Sequence, residues 1–235
     1  MTRQYSTVAS NSAKRLLRRL VDKATCPQEY RTAMTKLGCQ LGNAMLNVIG
    51  TSGQSAYLVA TAEDADFLAQ GVLQALEPRL ASVGFSCIWN ERKSLYGLQS
   101  LDVAPILKQY KEPVGKVDYL IVVKSIISDS CVVRTNLQNL IQTLQPREIL
   151  IAAPVIHARA EASLRQVFPQ DISDKFHFFY FAEDDERTAS GEVLPGIGGM
   201  VFERLGFSGQ ASRYIPEIVQ ERRRSIVKRR KTKAS

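Results

Sequence analysis

Short apolar runs that alternate with amphipathic helical patterns are the feature that most restricts the fold of this chain. The apolar runs occupy residues 57–60, 83–89, 117–123, 148–154 and 176–181. The helical patterns between them occupy residues 66–80, 132–144 and 158–167. Apolar strands that alternate with helices are typical of a parallel sheet covered on both faces. We therefore predict an α/β fold with a doubly wound, mostly parallel sheet.

Further helices are expected on both sides of this sheet region. Residues 11–23 and 28–49 place apolar side chains at helical spacing, so two helices should precede the first strand. A short helix is expected at 102–110, and a final helix at roughly 214–227 runs into a basic tail. The chain thus divides into an N-terminal helical extension, a central domain, and a C-terminal helix with a basic tail, at 1–50, 51–210 and 211–235.

Several classes of protein are excluded by what the sequence lacks. No stretch approaches the roughly 18 uninterrupted apolar residues of a membrane-spanning helix, and the N-terminus has no apolar signal-peptide core. The four cysteines never form a CxxC pair and the two histidines stand apart, so neither a zinc site nor a disulfide framework is expected. These observations predict a cytoplasmic protein without a membrane partner.

The net charge of +8 is concentrated at the two ends of the chain. Residues 1–23 hold six basic side chains against Asp22, and residues 221–235 hold eight against Glu221. Basic ends attract RNA or DNA through salt-sensitive contacts with phosphates, although a solvated tail explains a charge run equally well. The C-terminal candidates for nucleic-acid contact are Arg222, Arg223, Arg224, Lys228, Arg229, Arg230, Lys231 and Lys233.

The loop after the strand at 117–123 is the first candidate ligand site. In doubly wound sheets, ligands bind beyond the carboxyl ends of the strands, near the point where the strand order reverses. This loop reads Lys124-Ser-Ile-Ile-Ser-Asp-Ser-Cys131 and leads directly into a helix. Small hydroxyl residues at such a turn favour a bound phosphate, but Ser128, Asp129 and Ser130 are equally good helix N-caps.

A glycine-rich loop is the second candidate. It reads Gly191-Glu-Val-Leu-Pro-Gly-Ile-Gly-Gly199. Glycines around a proline let the backbone approach a ligand closely and present amide and carbonyl groups to a planar heterocycle. An ordinary surface loop is the alternative interpretation.

The order of these pieces resembles the type I phosphoribosyltransferases, particularly the uracil phosphoribosyltransferase branch, over about residues 57–206. The most specific part is Glu192-Val-Leu-Pro-Gly-Ile-Gly198, which is similar to the hood that binds the pyrimidine base. Asp184 matches the acidic residue that precedes this hood. The resemblance also extends to divergent phosphoribosyltransferase-like effectors of bacterial anti-phage systems, including retron-type modules.

The resemblance implies a set of site residues. The phosphoribosyl-binding residues would be Lys124, Ser125, Ser128, Asp129, Ser130 and Cys131. The base would lie against the backbone of Leu194, Pro195, Gly196, Ile197 and Gly198, and Asp184 would contact the ribose or orient the hood. The pyrophosphate loop would be Thr61, Ala62, Glu63 and Asp64.

The resemblance also implies a reaction, in which a base nitrogen displaces pyrophosphate from the ribose anomeric carbon while Mg²⁺ bridges the diphosphate. Several positions differ from the family pattern. Lys124 replaces an acidic residue, Asp129, Ser130 and Cys131 replace threonine and glycines, and Gly199 replaces the hood aspartate. A carboxylate inside a phosphate site repels the ligand unless it is protonated or turned outward.

Two hypotheses follow from these features. The first is a divergent phosphoribosyltransferase-like protein that binds phosphoribosyl pyrophosphate or a nucleotide and transfers or cleaves a glycosidic bond as an anti-phage effector. The alternative is a catalytically inactive protein of this fold that acts as a nucleic-acid-binding or regulatory module. A protein partner or a homodimer is compatible with either hypothesis.

Overall fold

A computed structural model describes residues 3–50, 53–91, 104–128, 131–189, 191–209 and 211–233, with side chains as far as Ile226. The strands are β1 (Arg3–Tyr5), β2 (Ser55–Thr61), β3 (Ser82–Asn90), β4 (Ile106–Lys111), β5 (Tyr119–Val123), β6 (Ile126–Ile127), β7 (Glu148–His157), β8 (Phe176–Asp184), β9 (Glu186–Arg187) and β10 (Val193–Leu194). The α-helices are α1 (Asn11–Val21), α2 (Pro27–Ile49), α3 (Ala62–Asp64), α4 (Gln70–Leu76), α5 (Cys131–Leu144), α6 (Ala160–Gln166), α7 (Gln170–Ser173), α8 (Val201–Arg204) and α9 (Glu217–Lys233). A π-helical turn, Ala65–Ala69, joins α3 to α4.

The main sheet has the strand order β1-β8-β7-β5-β2-β3-β4. Strands β3, β2, β5, β7 and β8 are parallel, whereas β1 and β4 pair antiparallel at the two edges. The chain passes from β2 to β3 on one side and then returns to β5 on the other side of β2. The order therefore reverses between β2 and β5, which is where a ligand site is expected in such a sheet.

Alternate residues of each central strand enter two different hydrophobic cores. On β2, Leu58 packs with the residues of α1 and α2, whereas Val59 packs with those of α5. On β5, Ile121 and Val122 divide between the two cores in the same way. Because successive side chains of a strand point to opposite faces, a sheet covered on both sides requires apolar residues at every position. The predicted doubly wound sheet is confirmed.

The N-terminal helices cover one face of this sheet. The Ser10 side chain caps α1 by accepting a hydrogen bond from the Ala13 backbone N–H at 3.0 Å. The proline at the first position of α2, Pro27, needs no hydrogen-bond partner for its nitrogen there. The buried stripe of α1 contains Leu17 and Leu20, which pack against α2 and the sheet.

Both edge strands differ from the sequence prediction. The strand β1 precedes the two helices that were expected to come first, and it pairs with β8 through Arg3 opposite Asp184. The helix expected at 102–110 is wrong where the structure describes it, because Ile106–Lys111 forms β4 and pairs with β3. Residues 102 and 103 lie outside the described residues. Pairing with a neighbouring strand of the sheet decided the conformation of both segments.

The C-terminal helix α9 begins on the surface of the domain and continues away from the buried core. Its first turn is fixed by Asp66, whose Oδ2 and Oδ1 accept the backbone N–H groups of Glu217 and Ile218 at 2.9 Å each. Ile218 and Val219 are buried. Arg222 donates to Glu112 at 3.0 Å and also binds Glu77.

Among the helices of the described ranges, none combines the length and the apolar character needed to cross a membrane.

Candidate functional site at the reversal of strand order

The two loops singled out from the sequence meet at one rim of the sheet. Ile126, in the loop after β5, belongs to the short strand β6 and pairs with Val155 of β7. A Cβ atom built on Gly196 of the glycine-rich loop would lie 3.1 Å from Cδ1 of Ile126. The candidate phosphate loop and the candidate hood are therefore neighbours at the carboxyl ends of the parallel strands.

A buried ion cluster occupies the centre of this rim. The Lys124 Nζ atom lies 2.8 Å from Oδ2 of Asp64 and 3.1 Å from Oε1 of Glu63. The exposed fractions of the three side chains are 14% for Lys124, 0% for Asp64 and 29% for Glu63. Lys124 follows β5 and the two acids follow β2, so the cluster bridges the two strands between which the order reverses.

The hydroxyl group of Thr61 completes the cluster by donating to Oδ2 of Asp64 at 2.7 Å. The other carboxylate oxygen of Asp64, Oδ1, is buried and has no hydrogen-bond partner within the part of the chain that the structure describes. Burying a carboxylate is costly unless it is paired, so the Lys124 ammonium is the group that makes a buried Asp64 possible.

Charge attraction outweighs burial in the protonation of this cluster. Burial acts to raise the pKa of Glu63, but the Lys124 ammonium and hydrogen bonds to the carboxylate leave this pKa below its usual value. Burial acts to lower the pKa of Lys124, and the carboxylates of Asp64 and Glu63 outweigh it and raise the pKa instead. Glu63 and Lys124 are therefore charged at neutral pH, and each stabilises the charge of the other.

The cluster does not fit the magnesium ion that the resemblance implies. The ammonium of Lys124 is within hydrogen-bond distance of both acids, and it occupies the position between them that a divalent cation would need. Mg²⁺ also requires near-octahedral oxygen ligands, most of which it takes from water or from substrate phosphates. The two carboxylates already share the Lys124 cation, so they are not free to hold a metal ion.

The remaining residues of the candidate phosphate loop lead into α5 along the chain. Ser125 is completely buried, Ser128 is partly exposed, and Cys131 is buried at the first position of α5. Asp129 and Ser130 lie outside the described residues. Their assignment to a phosphate, or to a helix cap, stays a prediction.

The hood is held by the N-terminal segment, through residues that the sequence analysis did not connect with it. The Arg3 Nη2 group donates to the carbonyl oxygen of Gly196 at 2.6 Å, and the Tyr30 hydroxyl donates to that of Ile197 at 3.1 Å. Lys23 Nζ donates to the carbonyl oxygen of Gly198 at 3.0 Å. No sequence spacing links these residues to the hood, because they lie far from it along the chain.

The last residue of β8, Asp184, also belongs to this arrangement. Its side chain is fully buried and receives both Nε and Nη2 of Arg3, at 2.8 and 2.7 Å. Its Oδ2 atom also accepts the backbone N–H of Gly196 at 2.9 Å. The structure thus brings Asp184 into direct contact with the hood, whereas Leu194 and Pro195 are partly exposed beside it.

Gly198 packs closely against the end of α1. Its φ angle is +82°, and a Cβ atom there would lie 2.2 Å from the carbonyl oxygen of Leu20. Only glycine combines this backbone conformation with so close an approach. The hood and the N-terminal helices therefore form one packed unit.

The basic C-terminal candidates divide into three groups. Arg222 is only 19% exposed and anchors α9 through Glu77 and Glu112. Arg223 and Arg224 are exposed on the following turn. The helix backbone continues through the other five basic positions, and their side chains lie outside the described residues: Lys228, Arg229, Arg230, Lys231 and Lys233.

Comparison with solved structures identifies the architecture. The adenine phosphoribosyltransferase of Trypanosoma brucei, solved in complex with AMP, pyrophosphate and ribose-5-phosphate, has a TM-score of 0.50 over 94% of this chain and 99% of that chain, at 8% identity. The chain has a phosphoribosyltransferase fold. The AQ2163 protein of Aquifex aeolicus has a TM-score of 0.67 over 84% of this chain and 95% of that chain, at 15% identity. No family model and no curated protein matches the sequence.

Within the phosphoribosyltransferase fold, the ion cluster and the hood lie at the rim where the resemblance puts the ligand. The likeness to these structures extends to the fold, since the sequence identities are low. The side chains at the rim, rather than the fold, therefore decide which ligand and which chemistry the protein can support.

Proposed function

We propose that this protein is a ligand-binding module with a phosphoribosyltransferase fold, which takes a phosphoribosyl or nucleotide ligand by its phosphate end without transferring the ribose. The observation that carries this proposal is the buried bridge of Lys124 to Asp64 and Glu63. This bridge stands where the pyrophosphate loop is expected.

Transfer of a phosphoribosyl group requires the leaving diphosphate to be neutralised. The cluster does the opposite, because it presents two carboxylates and its one cation is bound to them. A diphosphate at this position would meet a net negative charge in a partly water-excluded site, where charge repulsion is stronger than in bulk water. Loss of transfer is the expected consequence.

A single phosphate is compatible with the part of the rim formed by the loop between β5 and α5. The loop from Ser125 to Ser128 leads to the N-terminus of α5, where backbone N–H groups favour an anion. AMP and ribose-5-phosphate, which the adenine phosphoribosyltransferase of T. brucei contains, are therefore suitable test ligands. We assign to Asp184 the orientation of the hood through Gly196. A uracil-type base remains a prediction from the Glu192–Gly198 motif.

The second part of the proposal is that the basic helix α9 contacts a nucleic acid. Asp66, Glu77 and Glu112 fix the start of this helix on the domain, and Arg223 and Arg224 are exposed on the turn that follows. A regulatory module that combines a nucleotide site with nucleic-acid contact matches the second hypothesis from the sequence. A role as an anti-phage effector rests on the resemblance alone.

Calorimetry with the intact protein tests the ligand proposal. Ribose-5-phosphate or AMP should bind without a metal, and phosphoribosyl pyrophosphate with Mg²⁺ should bind no more tightly than ribose-5-phosphate. Tighter binding of phosphoribosyl pyrophosphate with Mg²⁺, or release of pyrophosphate in the presence of uracil, would instead support the transferase hypothesis. Lys124→Met leaves the two carboxylates of the cluster without their cation and should weaken ribose-5-phosphate binding. Lys116→Met, at a side chain that is 88% exposed, is the control and should leave it unchanged.

A further inference from the structure

An open cavity of about 540 Å³ lies beside the first turns of α9, and its lining includes neither Lys124 nor the two acids of the ion cluster. Its lining includes Arg31, Phe67, Phe207, Tyr214, Gln220 and Arg224, and we call it the aromatic cavity. Small-molecule sites in proteins have volumes of roughly 300–1,000 Å³. The aromatic cavity is therefore large enough for a planar ring system.

Three aromatic rings lie against one another along one wall of this cavity. The ring centroids of Phe207 and Tyr214 are 4.2 Å apart, and those of Phe67 and Phe207 are 6.2 Å apart with an interplanar angle of 30°. The Arg31 guanidinium lies 5.5 Å from the Phe67 centroid and 5.4 Å from that of Phe207. Partly exposed aromatic rings beside an arginine are typical of surfaces on which nucleic-acid bases stack.

This wall is fixed in place by hydrogen bonds. The Arg31 Nε group donates to the carbonyl oxygen of Leu205 at 2.8 Å. The Tyr214 hydroxyl binds Asp66, and the Tyr214 carbonyl oxygen accepts the indole N–H of Trp89 at 2.7 Å. A platform that is already rigid loses little conformational entropy when a base stacks on it.

The segment that carries Phe207 and Tyr214 begins beside the end of α1 and leads into α9. Arg204 Nη2 donates to the carbonyl oxygens of Leu20 and Asp22 at the end of α1, at 3.0 and 2.7 Å. The chain then passes Phe207 and Tyr214 and enters α9 at Glu217. Residues 204–217 thus connect the end of α1 to the start of α9, and the aromatic wall is part of this connection.

Exposed basic side chains are present on both helices that this segment joins. Arg15 and Arg18 are exposed on α1, and Arg224 is exposed on α9 at the edge of the cavity. A nucleic-acid strand that followed this segment would find cations for its phosphates on both helices and aromatic rings in the segment itself. Single-stranded nucleic acid is bound by this combination of basic and stacking groups.

The acidic residues of the cavity favour a base over a phosphate inside it. Asp66 already accepts hydrogen bonds from the Tyr214 hydroxyl and from the first turn of α9. Glu217 and Glu221 are exposed at the cavity and repel phosphates from its mouth. The backbone of a bound strand would therefore follow the arginines while an uncharged base enters the cavity.

We propose that the aromatic cavity binds an unpaired base of a single-stranded nucleic acid whose phosphates contact the basic helices. This inference rests on the nucleic-acid part of the proposed function and makes it more specific, because a duplex keeps its bases paired and stacked. The phosphoribosyl or nucleotide ligand at the rim is not required for it.

Fluorescence anisotropy with a labelled oligothymidine and a duplex of equal length tests the inference. Phe207→Leu keeps an apolar side chain but removes the ring, and it should weaken single-strand binding by about 5- to 150-fold without changing the salt dependence. Duplex binding should not change. Arg224→Gln should make the slope of log affinity against log salt shallower by about 0.7 for the single strand.

Leu107→Ala and Lys116→Gln are matched controls, because both residues are exposed at other places on the surface. The fluorescence of the single tryptophan, Trp89, reports whether each variant is folded. Unchanged single-strand binding by folded Phe207→Leu, or an equal loss for the duplex, would overturn the stacking site. If Phe207→Leu bound normally but deletion of residues 221–235 removed a salt-dependent affinity, the stacking site would be refuted and the nucleic-acid contact of α9 would be retained. Failure of the wild-type protein to bind either oligonucleotide would refute both.

Discussion

Arg3 and Asp184 form a bidentate ion pair between neighbouring strands, although they are 181 residues apart in the sequence. The same arginine donates to the carbonyl oxygen of Gly196, and the same aspartate accepts the Gly196 N–H. The pair therefore joins the N-terminal strand, the last parallel strand and the hood. Its loss should affect both stability and the shape of the rim.

Replacing Arg3 by alanine is expected to destabilise the protein by about 3–5 kcal/mol, because the Asp184 carboxylate would remain buried without its cation. The free energy of unfolding in urea measures this effect. Arg19→Ala is the control, since the Arg19–Glu29 pair is exposed on both sides and such pairs contribute about 0–1 kcal/mol. Equal losses for the two variants would contradict the structural role of Arg3.

Glu63 should make stability depend on acidic pH. Its pKa is lower in the folded protein than its ordinary value of 4.5, so its contribution is present above that value and disappears as the pH falls through the folded pKa. Between about pH 7 and about pH 3, wild type should therefore lose more unfolding free energy than Glu63→Gln. Urea unfolding across this range measures the difference. If both proteins lost the same unfolding free energy over this range, Lys124 would not stabilise the Glu63 carboxylate.

The packing of the hood on α1 should make Gly198→Ala more damaging than an ordinary glycine substitution. Gly53 has a similar φ of +74° with no atom within 4 Å of the position that a Cβ would take, whereas a Cβ on Gly198 would lie 2.2 Å from the Leu20 oxygen. Gly53→Ala should cost about 1–2 kcal/mol for the left-handed backbone alone. Gly198→Ala should cost more, measured by urea unfolding, and should also weaken the binding of AMP, whose base is expected against the hood. Equal costs would mean that the hood is free to move from α1.

Asp66 should control the attachment of α9. Asp66→Ala removes the acceptor for the backbone N–H groups of Glu217 and Ile218, and loss of a helix cap costs about 0.5–2 kcal/mol. Hydrogen exchange of the first turn of α9 should become faster, while exchange in β5 and β7 stays slow. Asp66→Asn retains one acceptor oxygen and should have a smaller effect. Unchanged exchange in α9 after Asp66→Ala would show that the buried Ile218 and Val219 and the ion pairs of Arg222 hold the helix without Asp66.

The five parallel strands could be predicted because burial on both faces leaves a continuous apolar run in the sequence. The edge strands β1 and β4 carry no such run. Arg3–Tyr5 is polar and short, and Ile106 and Tyr110 are spaced in a way that also fits a helix. The conformation of β1 depends on pairing with β8, which is distant in the sequence. The conformation of β4 depends on pairing with β3, from which a long connection separates it.

The sequence by itself determined that the loops after β2 and β5 lie at one rim, because parallel strands have their carboxyl ends on the same side of a sheet. It did not determine that Lys124 binds Asp64 and Glu63 rather than a phosphate, or that Arg3, Lys23 and Tyr30 hold the hood. Those contacts were decided by the tertiary structure alone. Local spacing encodes which face of an element is apolar, whereas an ion pair depends on the distance between atoms that only strand order and packing bring together.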